Sequence, residues 1–265
     1  MINFNKIEKL SFPYPVVIIE DFFEENFLKN ILNEFPKYEE FVNFKKTMIN
    51  RRFLSNDNPD FHKYINEKKF WLEFYKKVNN YNFYKNILNL LLSGDQKYNK
   101  FYELSFFDNF YKKNKITFNL SYYLREMSQI IPRIKFFNSL RHLTKKILYK
   151  SNISDGVYLR FDISSASNGY FRIPHTDSDG TILAFLVYLE DQINIGGTGG
   201  EFVINDINHN KIKSISPKKN KALFFLSNKK SLHSVSKIKN ANGWRKFIYG
   251  GFTCTDKKIW STIND

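Results

Sequence analysis

The chain has 265 residues, 42% of them hydrophobic and 18% aromatic, which is enough to bury an apolar core in one or two domains. Its single cysteine, Cys254, excludes an internal disulfide framework and a cysteine-based zinc or iron–sulfur site. Charged residues interrupt the N-terminal segment, and no run approaches the ~20 apolar residues of a membrane span, so we expect a cytoplasmic protein outside the membrane.

The net charge of +15 bears on possible partners. Basic surfaces interleaved with aromatic residues are typical of proteins that bind single-stranded nucleic acid. Lysine, asparagine, isoleucine, phenylalanine and tyrosine are nevertheless abundant along the whole chain, as an AT-rich coding bias would produce. We therefore expect a peptide or small-molecule substrate rather than a nucleic acid.

The N-terminal region predicts a strand followed by supporting helices. Residues 12–23 indicate a strand that places Val16 near a central sheet, and the next apolar residues recur at helical spacing, with Asp21 as N-cap and Pro36 as the stop. Residues 58–92 predict two helices that end at Ser93 and Gly94. Another amphipathic helix is predicted around residues 140–148.

The last third of the chain alternates short apolar segments with turns. Strands are predicted at residues 181–189, 201–204, 221–226 and 245–252, because branched and aromatic runs of this length are typical of buried strands. A glycine-rich segment at residues 196–200 and a polar turn at 205–208 separate them. Short strands at this spacing indicate a sandwich or jelly roll.

Four residues in this region carry chemistry. His175 and Asp177 are two positions apart, so on a strand they would point to one face and could chelate one ion. With His233 they form the ligand set of the facial triad that holds non-haem Fe(II) and leaves positions open. Arg245, further downstream, could bind a planar carboxylate bidentately, as 2-oxoglutarate presents.

Six motifs in the same order extend this pattern. They are His175-Thr176-Asp177, Tyr188-Leu189, Gly199-Gly200-Glu201-Phe202, Pro217 ahead of residues 222–225, His233-Ser234-Val235, and Gly243-Trp244-Arg245. On these motifs, residues 157–255 resemble the double-stranded β-helix core of Fe(II)/2-oxoglutarate-dependent oxygenases, most closely the prolyl-4-hydroxylase-like branch.

The resemblance implies an α+β fold in one domain, residues 1–265. Residues 155–256 would form the double-stranded β-helix, a cupin-like jelly roll, and residues 1–154 a mainly helical support with an N-terminal strand. His175, Asp177 and His233 would bind Fe(II), and Arg245 the 2-oxoglutarate.

The reaction implied is a hydroxylation that uses O2 and releases succinate and CO2. A peptidyl or free amino acid such as proline is the first substrate expected, and a small metabolite or sugar derivative the second.

Alternatives follow from departures and from neighbouring residues. A non-catalytic jelly-roll binding module is one, and a nucleic-acid oxidative demethylase another, although Gly251 stands where demethylases of this superfamily place a second arginine. A family tyrosine that contacts 2-oxoglutarate has Phe161 as its nearest counterpart. Arg160 and Arg172 could receive an anionic substrate group at the pocket mouth, or lie exposed on strand edges.

Overall fold

The computed structural model describes residues 1–41, 50–113, 156–177, 180–191 and 196–255. The helix predicted around residues 140–148 lies outside these ranges. Within them the chain is a mixed α+β structure with two facing sheets. Its strands are β1 (Lys6–Leu10), β2 (Val16–Glu20), β3 (Arg51–Ser55), β4 (Ser105–Phe106), β5 (Gly156–Ala166), β6 (Arg172–His175), β7 (Thr181–Tyr188), β8 (Phe202–Asn205), β9 (Lys211–Ile215), β10 (Lys221–Leu226), β11 (His233–Val235) and β12 (Arg245–Cys254).

The larger sheet has the order β1-β2-β10-β7-β12-β5-β3, with β4 parallel to β5. The smaller sheet has the order β6-β11-β8-β9. All four strands predicted in the last third are confirmed, to within two residues at each end. Val16 lies opposite Phe225 in the β2–β10 pair, which confirms its predicted place beside the central sheet.

Strands of the larger sheet are buried on both faces because two cores share them. In β7, Leu183, Phe185 and Val187 pack into an outer core with the helices. Leu186 and Tyr188, one position out of phase, pack into an inner core between the sheets. Successive side chains of a strand point to opposite faces, so a continuous apolar run is what such a strand requires.

The helices cover the outer face of the larger sheet. They are α1 (Glu25–Asn33), α2 (Pro59–Glu67), α3 (Lys69–Val78), α4 (Tyr81–Leu92), α5 (Asn99–Glu103) and α6 (Phe110–Lys113). No described helix has the length and apolar character needed to cross a membrane.

Two helix predictions were wrong in detail. Residues 58–92 form three helices rather than two, because the extended Lys68 separates α2 from α3. The missed start of α2 carries sequence signals: the Asn58 side chain accepts a hydrogen bond from the Asp60 amide, and Pro59 occupies the first turn. Helix α1 begins after Glu24, so Asp21 is not its cap. Asp21 instead pairs with Lys6 at 2.5 Å.

Candidate metal and co-substrate site

Three side chains meet where the smaller sheet faces the inner core. His175 ends β6 and His233 begins β11, and the two residues are direct partners in this antiparallel pair. Asp177 follows β6 by two residues. One ligand atom from each of the three residues lies within 4.8 Å of the others, and His233 Nε2 is 4.0 Å from Asp177 Oδ1. The structure thus brings together the three residues that the sequence predicted as metal ligands.

Backbone carbonyls orient both imidazoles. His175 Nδ1 lies 2.8 Å from the Ile173 carbonyl oxygen, and His233 Nδ1 lies 2.9 Å from that of Ser231. Because a carbonyl only accepts hydrogen bonds, each Nδ1 carries the proton and each Nε2 keeps its lone pair for a metal. Burial, together with the neighbouring His233, lowers the pKa of His175 and favours the neutral ring that a metal ligand needs.

Asp177 offers an oxygen that fits a cation. Its Oδ1 accepts a hydrogen bond of 3.0 Å from the Tyr249 hydroxyl. Its Oδ2 is buried and has no hydrogen-bond partner among the described residues. A buried carboxylate oxygen without a donor is costly unless a cation compensates it. Two imidazole nitrogens and one carboxylate are also the donors that Fe(II) takes in a facial triad.

Arg245 lies in the same cavity, which has a volume of about 390 Å³. It begins β12, and its side chain is only 2% exposed. Its Nη1 donates to the Gly200 carbonyl at 2.8 Å, and its guanidinium lies 5.3 Å from the Tyr188 ring centre. Lys246 points the opposite way, as strand alternation predicts, and pairs with Glu190 at 2.8 Å. A cation held in a water-poor cavity suits the distal carboxylate of 2-oxoglutarate.

Sequence analysis missed several cavity residues. Tyr249 shares a face of β12 with Arg245 at period two, and this spacing could have identified it. Tyr188 lies inside a recognised motif but had no assigned role; burial raises the pKa of its hydroxyl to about 12, so the hydroxyl stays protonated. Arg51 comes from β3, far away in the sequence, and no local signal marks it.

Phe161 was wrongly matched to the tyrosine that contacts 2-oxoglutarate. Its side chain faces the outer core, 5.8 Å from the Phe74 ring and 5.5 Å from the Tyr75 ring, measured between centroids. Arg160, its neighbour on β5, faces the cavity instead. Arg172 also lines the cavity, which agrees with the first of the two interpretations given for this pair.

Comparison with protein families gives one match. Residues 161–253 match the 2OG-Fe(II) oxygenase superfamily. This segment contains both histidines, Asp177 and Arg245, so the family match and the geometry concern the same side chains. Comparison with curated proteins by sequence gives no match.

Solved structures show the fold. A prolyl 4-hydroxylase from Phytophthora capsici superposes with a TM-score of 0.52 at 12% identity, covering 90% of this chain and 58% of that one. The chain thus spans less than two thirds of that structure.

Two others have lower scores. A Pseudomonas putida prolyl-4-hydroxylase gives 0.46 at 12% identity, covering 90% of this chain and 91% of that one. A Trichoplax adhaerens prolyl hydroxylase, in complex with a hypoxia inducible factor peptide fragment, gives 0.48 at 14%, covering 93% and 86%.

The family match assigns the chemistry, and the structural likeness assigns the architecture around it. The chain belongs to the 2OG-Fe(II) oxygenases of the prolyl-4-hydroxylase-like branch, enzymes that use Fe(II), 2-oxoglutarate and O2.

Proposed function

We propose that this oxygenase hydroxylates a peptidyl or free amino acid, with proline as the first candidate, and releases succinate and CO2. The observation that carries the proposal is the convergence of three ligand atoms within 4.8 Å, in a cavity that also contains the buried Arg245. The fold likeness to a prolyl 4-hydroxylase makes proline the first amino acid to test.

Each side chain has a defined task in this proposal. The Nε2 atoms of His175 and His233 and a carboxylate oxygen of Asp177 hold Fe(II), and Arg245 holds the distal carboxylate of 2-oxoglutarate. Bound Fe(II) and 2-oxoglutarate supply the oxidising chemistry that turns a C–H bond into C–OH. The protein fixes the orientation of the substrate and limits water in the cavity.

The cavity wall supports that last role. Leu186, Phe202, Phe225 and Val235 line it together with the metal ligands. The Phe202 ring stacks on the His233 ring at 5.2 Å, and the Phe225 ring meets it edge-on at 4.8 Å. Apolar contacts on a ligand ring restrict its rotation and exclude competing water ligands.

We further propose that the two sheets form a double-stranded β-helix. The smaller sheet and the inner face of the larger sheet enclose one apolar core, and the site lies at its mouth. In this arrangement the antiparallel β6–β11 pair supplies both histidines from neighbouring strands.

Substrate-dependent turnover tests the proposed reaction. Purified protein is incubated with Fe(II), 2-oxoglutarate and O2, together with capped prolyl peptides or free amino acids, and succinate and oxidised product are quantified. We expect one substrate to gain one oxygen atom per succinate formed, with both signals lost in His175→Ala. Equal product formation by His175→Ala would contradict the proposal, as would an iron- and 2-oxoglutarate-loaded protein that oxidises none of these substrates.

A further inference from the structure

The cavity contains more positive charge than iron and 2-oxoglutarate require. Besides Arg245, three arginines line its described wall: Arg51, Arg160 and Arg172. In the proposed function, Asp177 and the two carboxylates of 2-oxoglutarate neutralise Fe(II) and Arg245. The three remaining guanidinium groups therefore need a different source of negative charge.

Arg51 is already satisfied by the protein. Its Nη2 donates to Ser164 Oγ at 3.0 Å and pairs with Asp162 Oδ2 at 3.3 Å. The rings of Phe247 and Tyr249 lie 5.4 and 5.6 Å from its guanidinium carbon. With only 7% of its surface exposed, Arg51 supports the wall rather than reaching into the cavity.

Arg160 shares the same carboxylate but keeps access to solvent. Its Nη2 lies 3.2 Å from Asp162 Oδ2, and 39% of its side chain is exposed. One buried carboxylate thus faces two arginines and can neutralise only one. Asp57 acts on Arg160 at longer range without lining the cavity. Even with Asp57 counted, the three arginines outnumber the acidic groups beside them in the described structure.

Arg172 has no partner of its own. It is half-buried on β6, lines the cavity, and makes no hydrogen bond or ion pair with any other described residue. Its position is fixed by the strand, since Arg172 lies opposite Val235 in the pairing of β6 with β11. The guanidinium is therefore held near the metal ligands with its donors still available.

We propose that Arg160 and Arg172 together bind an anionic group of the substrate, a carboxylate or phosphate. This inference rests on the proposed function, because it names the substrate class of that same site. Guanidinium groups bind planar carboxylates and phosphates through paired hydrogen bonds, and a water-poor wall strengthens them. A small substrate with its own negative charge, such as a free amino acid, fits this wall better than a neutral prolyl peptide.

Ligand binding tests the proposal without turnover. The anaerobic complex with Fe(II) and saturating 2-oxoglutarate is titrated by calorimetry with N-acetyl-L-proline, its neutral amide, a capped prolyl-glutamate dipeptide, and inorganic phosphate. The acid and the amide have the same shape, so their difference isolates the charge. The dipeptide separates a side-chain carboxylate from a terminal one.

We expect the acid or phosphate to bind at least tenfold more tightly than the amide. Arg172→Gln should remove this preference, and Arg160→Lys should weaken it while keeping the charge beside Asp162. The matched control is Lys85→Gln, which removes one charge from an exposed site on α4 and should change nothing.

Three outcomes would overturn the inference. The first is equal binding of the acid and the amide together with no binding of phosphate. The second is anion binding that Arg172→Gln leaves intact. The third is a loss of 2-oxoglutarate affinity in Arg172→Gln as large as in Arg245→Ala, which would assign the arginine to the co-substrate. Failure to form the 2-oxoglutarate complex in the wild type would instead contradict the proposed function itself.

Discussion

At the scale of single residues, the site depends on hydrogen bonds that prepare ligand atoms before any metal binds. Both histidines donate from Nδ1 to a carbonyl two residues earlier in the chain, so each ring is fixed by its own strand. Asp177 receives its donor from another sheet, through Tyr249. Burial is the main cause that raises the pKa of Tyr249, and Asp177 adds to it, so the hydroxyl remains a donor at neutral pH.

Removal of this donor should weaken metal binding. In Tyr249→Phe, Asp177 loses the 3.0 Å hydrogen bond that orients it, and we expect Fe(II) affinity to fall by about 10-fold or more. Anaerobic Fe(II) titration measures the effect. Tyr98→Phe removes a hydroxyl outside this cavity and serves as the control. Unchanged affinity in Tyr249→Phe would show that the hydrogen bond does not position the ligand.

Gly200 controls Arg245 in a similar way. Its φ is +76°, its carbonyl accepts from Arg245 at 2.8 Å, and an added Cβ would overlap Arg245 Nη1. We expect Gly200→Ala to weaken 2-oxoglutarate binding about tenfold or more while Fe(II) affinity changes little. Gly94→Ala is the control: at φ +82° it has open space around it, so it bears only the backbone cost of about 1–2 kcal/mol. Equal 2-oxoglutarate affinities in both variants would disprove the steric argument.

At the scale of elements, the register of β5 decides which residues reach the site. Arg160 and Asp162 face the cavity side, whereas Phe161 joins the outer aromatic core. The sequence alone could not supply this orientation, because nearly every residue of β5 is buried and no polar–apolar alternation marks the faces. By contrast, the strands from β7 to β12 were predictable, since their apolar runs are separated by clear turn residues.

The register also predicts the effect of restoring the family tyrosine. Phe161→Tyr should place a hydroxyl among the rings of Phe61, Trp71 and Phe74, and lower the free energy of unfolding by about 1–3 kcal/mol. Affinity for 2-oxoglutarate should not increase. Phe171→Tyr, at a side chain that is 53% exposed, is the matched control and should be neutral. Tighter 2-oxoglutarate binding in Phe161→Tyr would mean that the residue faces the cavity.

At the scale of the whole molecule, one sheet serves two cores and thereby links the helices to the site. Asn220, which precedes β10, ties the N-terminal region to this sheet: its side chain accepts from the Phe23 amide at 2.7 Å and donates to the Phe23 carbonyl at 2.8 Å. The metal ligands and Arg245 were predictable because their chemistry restricts residue type and order. Arg51 and the pairing of β3 with β5 were not, because only tertiary packing brings these distant segments together.

The central claim is that His175, Asp177 and His233 hold Fe(II) beside a 2-oxoglutarate site built around Arg245. Anaerobic titration of apoprotein with Fe(II) and 2-oxoglutarate, followed through the metal-to-ligand charge-transfer band in the visible, tests it most directly. We predict a band in the wild type, no band in His175→Ala, and a band in Arg245→Ala that requires about tenfold more 2-oxoglutarate or beyond. A wild type without a band at saturating ligand, or an unchanged band in His175→Ala, would contradict the claim.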